Sequence, residues 1–272
     1  MKQAIKPLIP PPLVAPVRES YLSLRRLPEL PQVYFHPWRR RSIATLRELR
    51  NKHAGQRAFI IGNGPSLRNT DLTRLRHDFT FGLNRIYLNF PSMGFPTSCL
   101  VSVNDLVIQQ CVSEMQALPI PRFLAWRSHG HLAPSTSPSD LPAFLYTTYE
   151  SPSFARDVRG RVWEGATVTY VAMQLAFHMG FHQVILIGVD HDFASKGEAN
   201  KTVVSEGEDR NHFSPEYFGK GFRWQLPDLA MSELSYRMAK EAYEEAGREL
   251  IDATVGGKLQ VFPKVDYNSL FR

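Results

Sequence analysis

The sequence predicts an α/β protein with a Rossmann-like, doubly wound and mostly parallel sheet, a basic proline-rich N-terminal arm and one long lid loop. Three observations carry that expectation. From residue 57 onward short apolar runs alternate with helical or loop segments, and glycine stands at the switches between them. "QVILIGVD" (Gln183 to Asp190) is apolar without interruption, as befits a strand covered on both faces. Thr167 to Met179 repeats Val168, Val171, Ala172, Leu175 and Met179 at helical spacing and stops at Gly180.

The elements follow in order. Residues 1–56 form the arm, with eight prolines before residue 38, so the chain is expected to be extended or partly disordered until about Ser42. There "SIATLRELRNKHAG" reads as a short helix closed by Gly55. The domain proper runs over 57–272. "RAFIIG" is its first strand, "DLTRL" a helical turn, "FTFGLN" a second strand, "TSCLVSVN" a third and "RFLAW" a fourth. The Ser/Pro-rich "HLAPSTSPSDLP" is a loop, and "FLYTT" a further strand. After the 167–179 helix and "QVILIGVD", the polar stretch from about 194 to 227 is the expected lid, followed by an amphipathic helix from Asp228 to Ala246 and the strand "ELIDAT".

Composition narrows the function classes. The 272 residues are 43% hydrophobic, enough for one sizeable core. Cys99 and Cys111 are the two cysteines, spaced neither as a zinc site nor as a disulfide framework, which fits a reducing compartment. The formal charge of +6 is concentrated on the arm, where Arg39, Arg40 and Arg41 follow Trp38. The arm reads as a solvated linker or oligomer arm or, through this "WRRR", as a peripheral contact with anionic lipid, and no nucleic-acid-binding motif accompanies it. No run approaches the ~18 apolar residues of a spanning helix, and "LIPPPLVAPV" is too short and proline-rich for a signal. The expected location is the cytoplasm, peripheral to the inner face of the membrane.

"FIIGNGPSL" (Phe59 to Leu67) breaks a strand at a turn built for close approach. Gly62 and Gly64 allow positive φ, Asn63 tolerates the left-handed region, Pro65 suits a first helical turn, and Ser66 adds a hydroxyl beside free amides. Beyond the carboxyl end of a parallel strand such a loop either meets a phosphate or is a tight turn without a ligand. It lacks the Lys-Ser/Thr of a P-loop and is not GxGxxG. Other strand ends add polar groups on the same edge: Asn84 after "FTFGL", Asn104 and Asp105 after "CLVSV", and Asp190 with Asp192 after "VILIGV".

"FIIGNGPSLRNTDLTRLRHDFTFGLNRIYL", "VSVND" and "GATVTYVAMQLAFHMGFHQVILIGVDHDF" together resemble the nucleotide-binding domain of bacterial lipooligosaccharide sialyltransferases. They also resemble the wider MptE-like family, with its flagellin glycosyltransferase-like proteins and archaeal 6-hydroxymethylpterin diphosphokinases. The resemblance implies that Asn63, Asn84 and Asn104 help hold a nucleotide, that Thr167 and Thr169 approach it, and that a general base lies in the flexible segment after "ILIGVD". His212 is the histidine there, matched by region, and it can act as that base or hold the lid by hydrogen bonds. The two tyrosines with which the sialyltransferases bind the leaving phosphate are missing: His191 and Phe193 stand instead, and the next tyrosine is Tyr217.

Three residue groups remain open to two readings. Asp190, also a candidate catalytic residue, and Asp192 can ligate Mg²⁺ or serve as turn residues. Lys220 and Arg223 can stabilise a phosphate leaving group or be surface charges. Gly256, Gly257 and Lys258 can approach a phosphate or form a hairpin. The expected activity is transfer from a nucleotide-activated donor, foremost from a nucleotide sugar to a glycan or glycolipid. The alternatives are diphosphate transfer from ATP to a hydroxymethylpterin and nucleotide binding without chemistry.

Overall fold

The computed structural model describes residues 20–22, 24–132, 137, 140–195 and 197–271. "LIPPPLVAPV" and most of the Ser/Pro-rich loop lie outside them. The central sheet has eight strands: β1 (Arg57–Ile61), β2 (Phe79–Leu83), β3 (Cys99–Ser102), β4 (Arg122–Ala125), β5 (Ala143–Thr148), β6 (Arg161–Trp163), β7 (Gln183–Ile187) and β10 (Glu249–Asp252). Their order is β10-β7-β1-β2-β3-β4-β5-β6, and every ladder is parallel. The chain therefore winds from β1 to one edge, then returns to β1's other side as β7. That reversal is the topological switch point of a Rossmann-like sheet. Ile61 pairs with both Gly82 and Ile187, so the loops after β1, β2 and β7 leave the sheet at one level.

Five labelled helices flank the sheet: α1 (Leu30–Phe35), α2 (Pro37–Leu49), α3 (Asp105–Gln116), α4 (Val168–Met179) and α5 (Leu229–Glu245). Every residue of α4 from Thr169 on is buried. It lies on β1 to β3, and α5 covers its other side, where the Tyr243 hydroxyl donates to the Met173 carbonyl at 2.8 Å. A helix clad on both sides is apolar all round. Gly180, left-handed at φ 94°, ends it.

Three expectations change. The arm is not extended up to Ser42: residues 30–35 are helical and α2 starts at Pro37, where His36 Nδ1 accepts from the Trp38 amide. Helix α2 is held down by burial of Arg39, Ser42 and Leu46, with the Phe144 amide donating to Ser42 Oγ at 2.9 Å. Trp38 stacks on Phe144, so "WRRR" is not a continuous surface patch; only Arg40 and Arg41 are exposed. Helix α3 was not expected, because attention to Asn104 and Asp105 as strand-end polar groups hid Val107, Ile108, Cys111 and Met115, which form its buried stripe. The stretch expected as a lid loop contains an antiparallel ribbon, β8 (Thr202–Val204) with β9 (Arg223–Gln225), over buried Phe213, Tyr217, Phe218 and Leu226. This cap covers the carboxyl edge of the sheet. Among the described residues no helix is long and apolar enough to cross a membrane.

Candidate active site at the switch point

The loops after β1 and β7 are joined backbone to backbone. The Gly62 amide donates to the Ile187 carbonyl at 2.8 Å, and the Gly64 amide to the Gly188 carbonyl at 2.9 Å. A Cβ on Gly62 would stand 2.2 Å from the Gly188 oxygen, and one on Gly64 1.8 Å from Asp190 Oδ2. Close approach is thus the reason for both glycines. The expectation of positive φ is corrected: Gly62, Asn63 and Gly64 avoid that region, and Asn84 (φ 47°), Gly188 (66°) and His191 (54°) occupy it. Pro65 opens a 3-10 turn, Pro65–Asn69. Ser66 is not free to meet a ligand, because its amide and hydroxyl donate to Asp190 Oδ1 and Oδ2 at 3.0 and 2.7 Å. Asp190 therefore clamps the two loops. Burial pushes its carboxyl up from the ordinary value, while the Ser66 hydrogen bonds pull it down.

Above this clamp lies a cavity of about 550 Å³. Gly62, Asn63, Gly64, Asn84, Asn104, Thr167, Thr169, Asp190, Asp192 and His212 all line it. Asn63 lines the cavity, and its buried Oδ1 has no hydrogen-bond partner among the described residues. Asn84 Oδ1 accepts from Ser102 Oγ at 2.9 Å. Asn104 caps α3, its Oδ1 accepting from the Leu106 and Val107 amides while its Nδ2 donates to Gln225 on β9. Thr167 caps α4.

Pro65 and Ser66 lie outside the lining, as do Asp105, Lys220 and Arg223. Asp105 is turned away by Ser128 at 2.7 Å and His131 at 3.1 Å. Arg223 donates to Gln109 on the outside of α3, and Lys220 is exposed. No described Lys or Arg lines the cavity. Its electropositive features are helix starts: α3, α4 and α5 all begin at its wall, through Asn104, Thr167 and Asp228.

The pair Asp190 and Asp192 does not fit a shared metal seat. Both Asp190 oxygens are engaged by Ser66, and Asp192 pairs with Lys258 at 2.6 Å. Among the described residues no three His, Cys, Asp or Glu side chains are placed to hold an ion. Lys258 thus meets a carboxylate, and Gly257 lies in a turn pinned by Lys264, which bonds its carbonyl and Asp252.

The cap brings His212 to the cavity as a built pair. Nδ1 bonds to Asp209 Oδ2 at 2.7 Å, and Asp209, buried, also accepts from the Asn211 amide through Oδ1. The imidazole lies flat on Tyr217, ring centroids 3.9 Å apart. With Nδ1 committed to Asp209, Nε2 is the nitrogen left for a substrate proton. Arg68 fixes this segment by donating to the His212 and Phe213 carbonyls at 2.8 and 2.9 Å, and the Phe213 amide donates to the Asn63 carbonyl at 2.9 Å.

Sequence reasoning missed the opposite wall. Glu164, buried and lining the cavity, pairs with Arg127 at 2.5 Å, and burial pushes its carboxyl up. Arg127 also backs the ring of Tyr149, an exposed aromatic of the same cavity, at 4.4 Å. Glu164 precedes two positive-φ residues, Gly165 and Ala166, that turn the chain into α4. The readable signal was a lone acid directly before "GAT". On the third side His191 Nε2 bonds to Glu233 at 3.0 Å.

Comparisons with known proteins bear on this geometry. A solved structure, the MAf glycosyltransferase from Magnetospirillum magneticum AMB-1, is similar at 14% identity and a TM-score of 0.46, over 84% of this chain and 38% of that one. The present chain therefore spans well under half of that protein's length. No curated protein matches the sequence. The family model described as 6-hydroxymethylpterin diphosphokinase MptE-like matches residues 38–196, which hold α2 and strands β1 to β7 with their rim loops. Since that match takes in more than half of the 272 residues, the chain belongs to the MptE-like family.

Proposed function

We propose that this chain is a cytoplasmic transferase using a nucleotide-activated donor, and that it carries out sialyltransferase-like glycosyl transfer to a hydroxyl of a cell-surface glycan or glycolipid. The observation that supports this best is the pair of His212 and Asp209 at the wall of a cavity rimmed by Asn63, Asn84 and Asn104. An acceptor hydroxyl approaching Nε2 gives up its proton as its oxygen bonds to the anomeric carbon. The bond from that carbon to the donor phosphate oxygen breaks, and the leaving phosphate keeps the electron pair. Asp209 holds the ring in the right tautomer and stabilises the imidazolium that forms. The leaving phosphate gains charge with no described Lys or Arg in the lining to meet it, so the amide dipoles at the starts of α3 and α4 do this. Tyr149 and Glu164 suit a flat heterocycle bearing N–H donors, by stacking and by acceptance.

The family's description supports a second reading, diphosphate transfer from ATP to a hydroxymethylpterin, in which the same base would activate the pterin hydroxyl and Mg²⁺ would accompany the nucleotide. One experiment separates the readings. Thermal unfolding is followed with CMP, UDP, GDP and ATP, each with Mg²⁺ or chelator, since a ligand that binds only the folded state raises Tm. Stabilisation by a CMP-type nucleotide in chelator, with turnover of the matching nucleotide sugar, supports glycosyl transfer. Stabilisation by ATP with Mg²⁺ alone supports the diphosphokinase, and binding without turnover of either donor leaves a nucleotide-binding protein.

A further inference from the structure

Helix α1 and the helical turns before it are apolar on two faces. Leu22 and Val33 face inward and are buried. Tyr21, Leu24, Leu27, Tyr34 and Phe35 face outward, Leu24 at 63% exposure and Phe35 at 76%. The other large exposed hydrophobics among the described residues are scattered singly, at Leu88, Tyr149, Val204, Leu234 and Val255. A cluster of this kind marks a surface that something covers.

Charge identifies the occupant. Residues 1–50 carry ten Lys and Arg against three Asp and Glu, a net +7, which leaves −1 for residues 51–272. Arg25, beside the Tyr21 ring at 5.8 Å, is exposed, as are Arg40 and Arg41 at the start of α2. A second copy docked by two-fold symmetry would set this basic segment against itself, so self-association is opposed by its own charge. Aromatic and aliphatic side chains amid arginines match the boundary between acyl chains and anionic headgroups. We infer that this face binds an anionic lipid bilayer peripherally, seating Leu24, Leu27 and Phe35 at the headgroup level while arginines meet lipid phosphates. The inference is independent of the transfer chemistry proposed above.

The test is co-sedimentation of the full chain with phosphatidylcholine vesicles, with and without phosphatidylglycerol. Binding is expected only with the anionic lipid, and it weakens as salt shortens the screening length from about 10 Å at 0.1 M to about 3 Å at 1 M. Leu24→Glu with Phe35→Glu should reduce partitioning about tenfold or more, because each change exchanges buried apolar surface for a repelled charge. Arg40→Glu with Arg41→Glu should do the same while the apolar face stays intact. These side chains are exposed, so Tm should hold, and its measurement guards against misfolding. Equal binding by wild type and both variants overturns the assignment of this face. Absence of vesicle binding overturns the inference, and a wild-type dimer made monomeric by Leu24→Glu would assign the face to a second copy instead.

Discussion

The rim of the switch point and the cap opposite it are held in contrasting ways. The rim loops meet through main-chain hydrogen bonds at 2.8 and 2.9 Å, with glycines where any Cβ would strike the facing loop. The cap is joined by one main-chain bond, from the Phe213 amide to the Asn63 carbonyl, and by side chains: Arg68 to the His212 and Phe213 carbonyls, Asn104 to Gln225, and Gln110 to β9. Backbone contact admits no variation in residue size, whereas side-chain ties can be exchanged while the sheet persists. The proposed binding rim therefore lies where backbone contact fixes residue size, and the proposed base lies on a segment tied chiefly by side chains. The family match, which ends at residue 196, covers the rim and stops short of His212.

The sharpest break in this contrast is Gly62→Val. Its Cβ would lie 2.2 Å from a main-chain oxygen, an obstacle with no rotamer to escape into. Overpacking of this sort costs about 1–3 kcal/mol or more, so thermal unfolding should show Tm lowered by roughly 5 °C or the chain recovered only as aggregate. An unchanged Tm would mean that the rim is looser than its hydrogen bonds indicate. In the cap, His212→Ala should lower turnover by about 10² to 10⁴ while donor affinity, measured by titration, stays within about threefold. Loss of donor binding with turnover otherwise intact would reduce His212 to a fastening of the cap.

The same contrast explains what could be read from the sequence. The parallel sheet was legible because strands buried on both faces are apolar runs, and "QVILIGVD" admits little else. Asn63, Asn84, Asn104, Thr167, Thr169 and His212 do line one cavity; strand ends pointed to the asparagines, and the family resemblance to Thr167, Thr169 and His212. The mode of the β1 loop was not legible. A glycine spared for a neighbouring loop looks the same in sequence as a glycine in the left-handed region, and the neighbour, Gly188, lies far along the chain. Lys220 and Arg223 misled because charge reads equally as ligand contact or as solvated surface, and here it is surface. Glu164 and Arg127 were missed because each looks unremarkable until β4 and β6 bring them together.

Asp209→Asn gives a smaller test of the cap. The amide keeps the shape of the carboxylate but loses the charge that steadies an imidazolium and the acceptor that fixes its tautomer. Turnover should fall about 10- to 10³-fold, less than for His212→Ala, and the double variant should be no worse than His212→Ala alone. Additive losses in the double variant would show that the two residues act separately.

The smallest effect is expected where rim and cap are tied, at Asn104→Ala. This change removes the N-cap of α3 and the bond to Gln225 in one step. Loss of an N-cap costs about 0.5–2 kcal/mol, which for a chain of this size lowers Tm by a few degrees. Gln225→Ala removes only the tie, since the cap oxygen of Asn104 remains on the Leu106 and Val107 amides. If the tie steadies the cap over the cavity, amide exchange in β8 and β9 should quicken in both variants, while α3 loses protection only in Asn104→Ala. Unchanged exchange in the ribbon of both variants would show that Arg68 and the aromatic cluster hold the cap by themselves, and the only role of Asn104 at the rim would then be to start α3 and face the cavity.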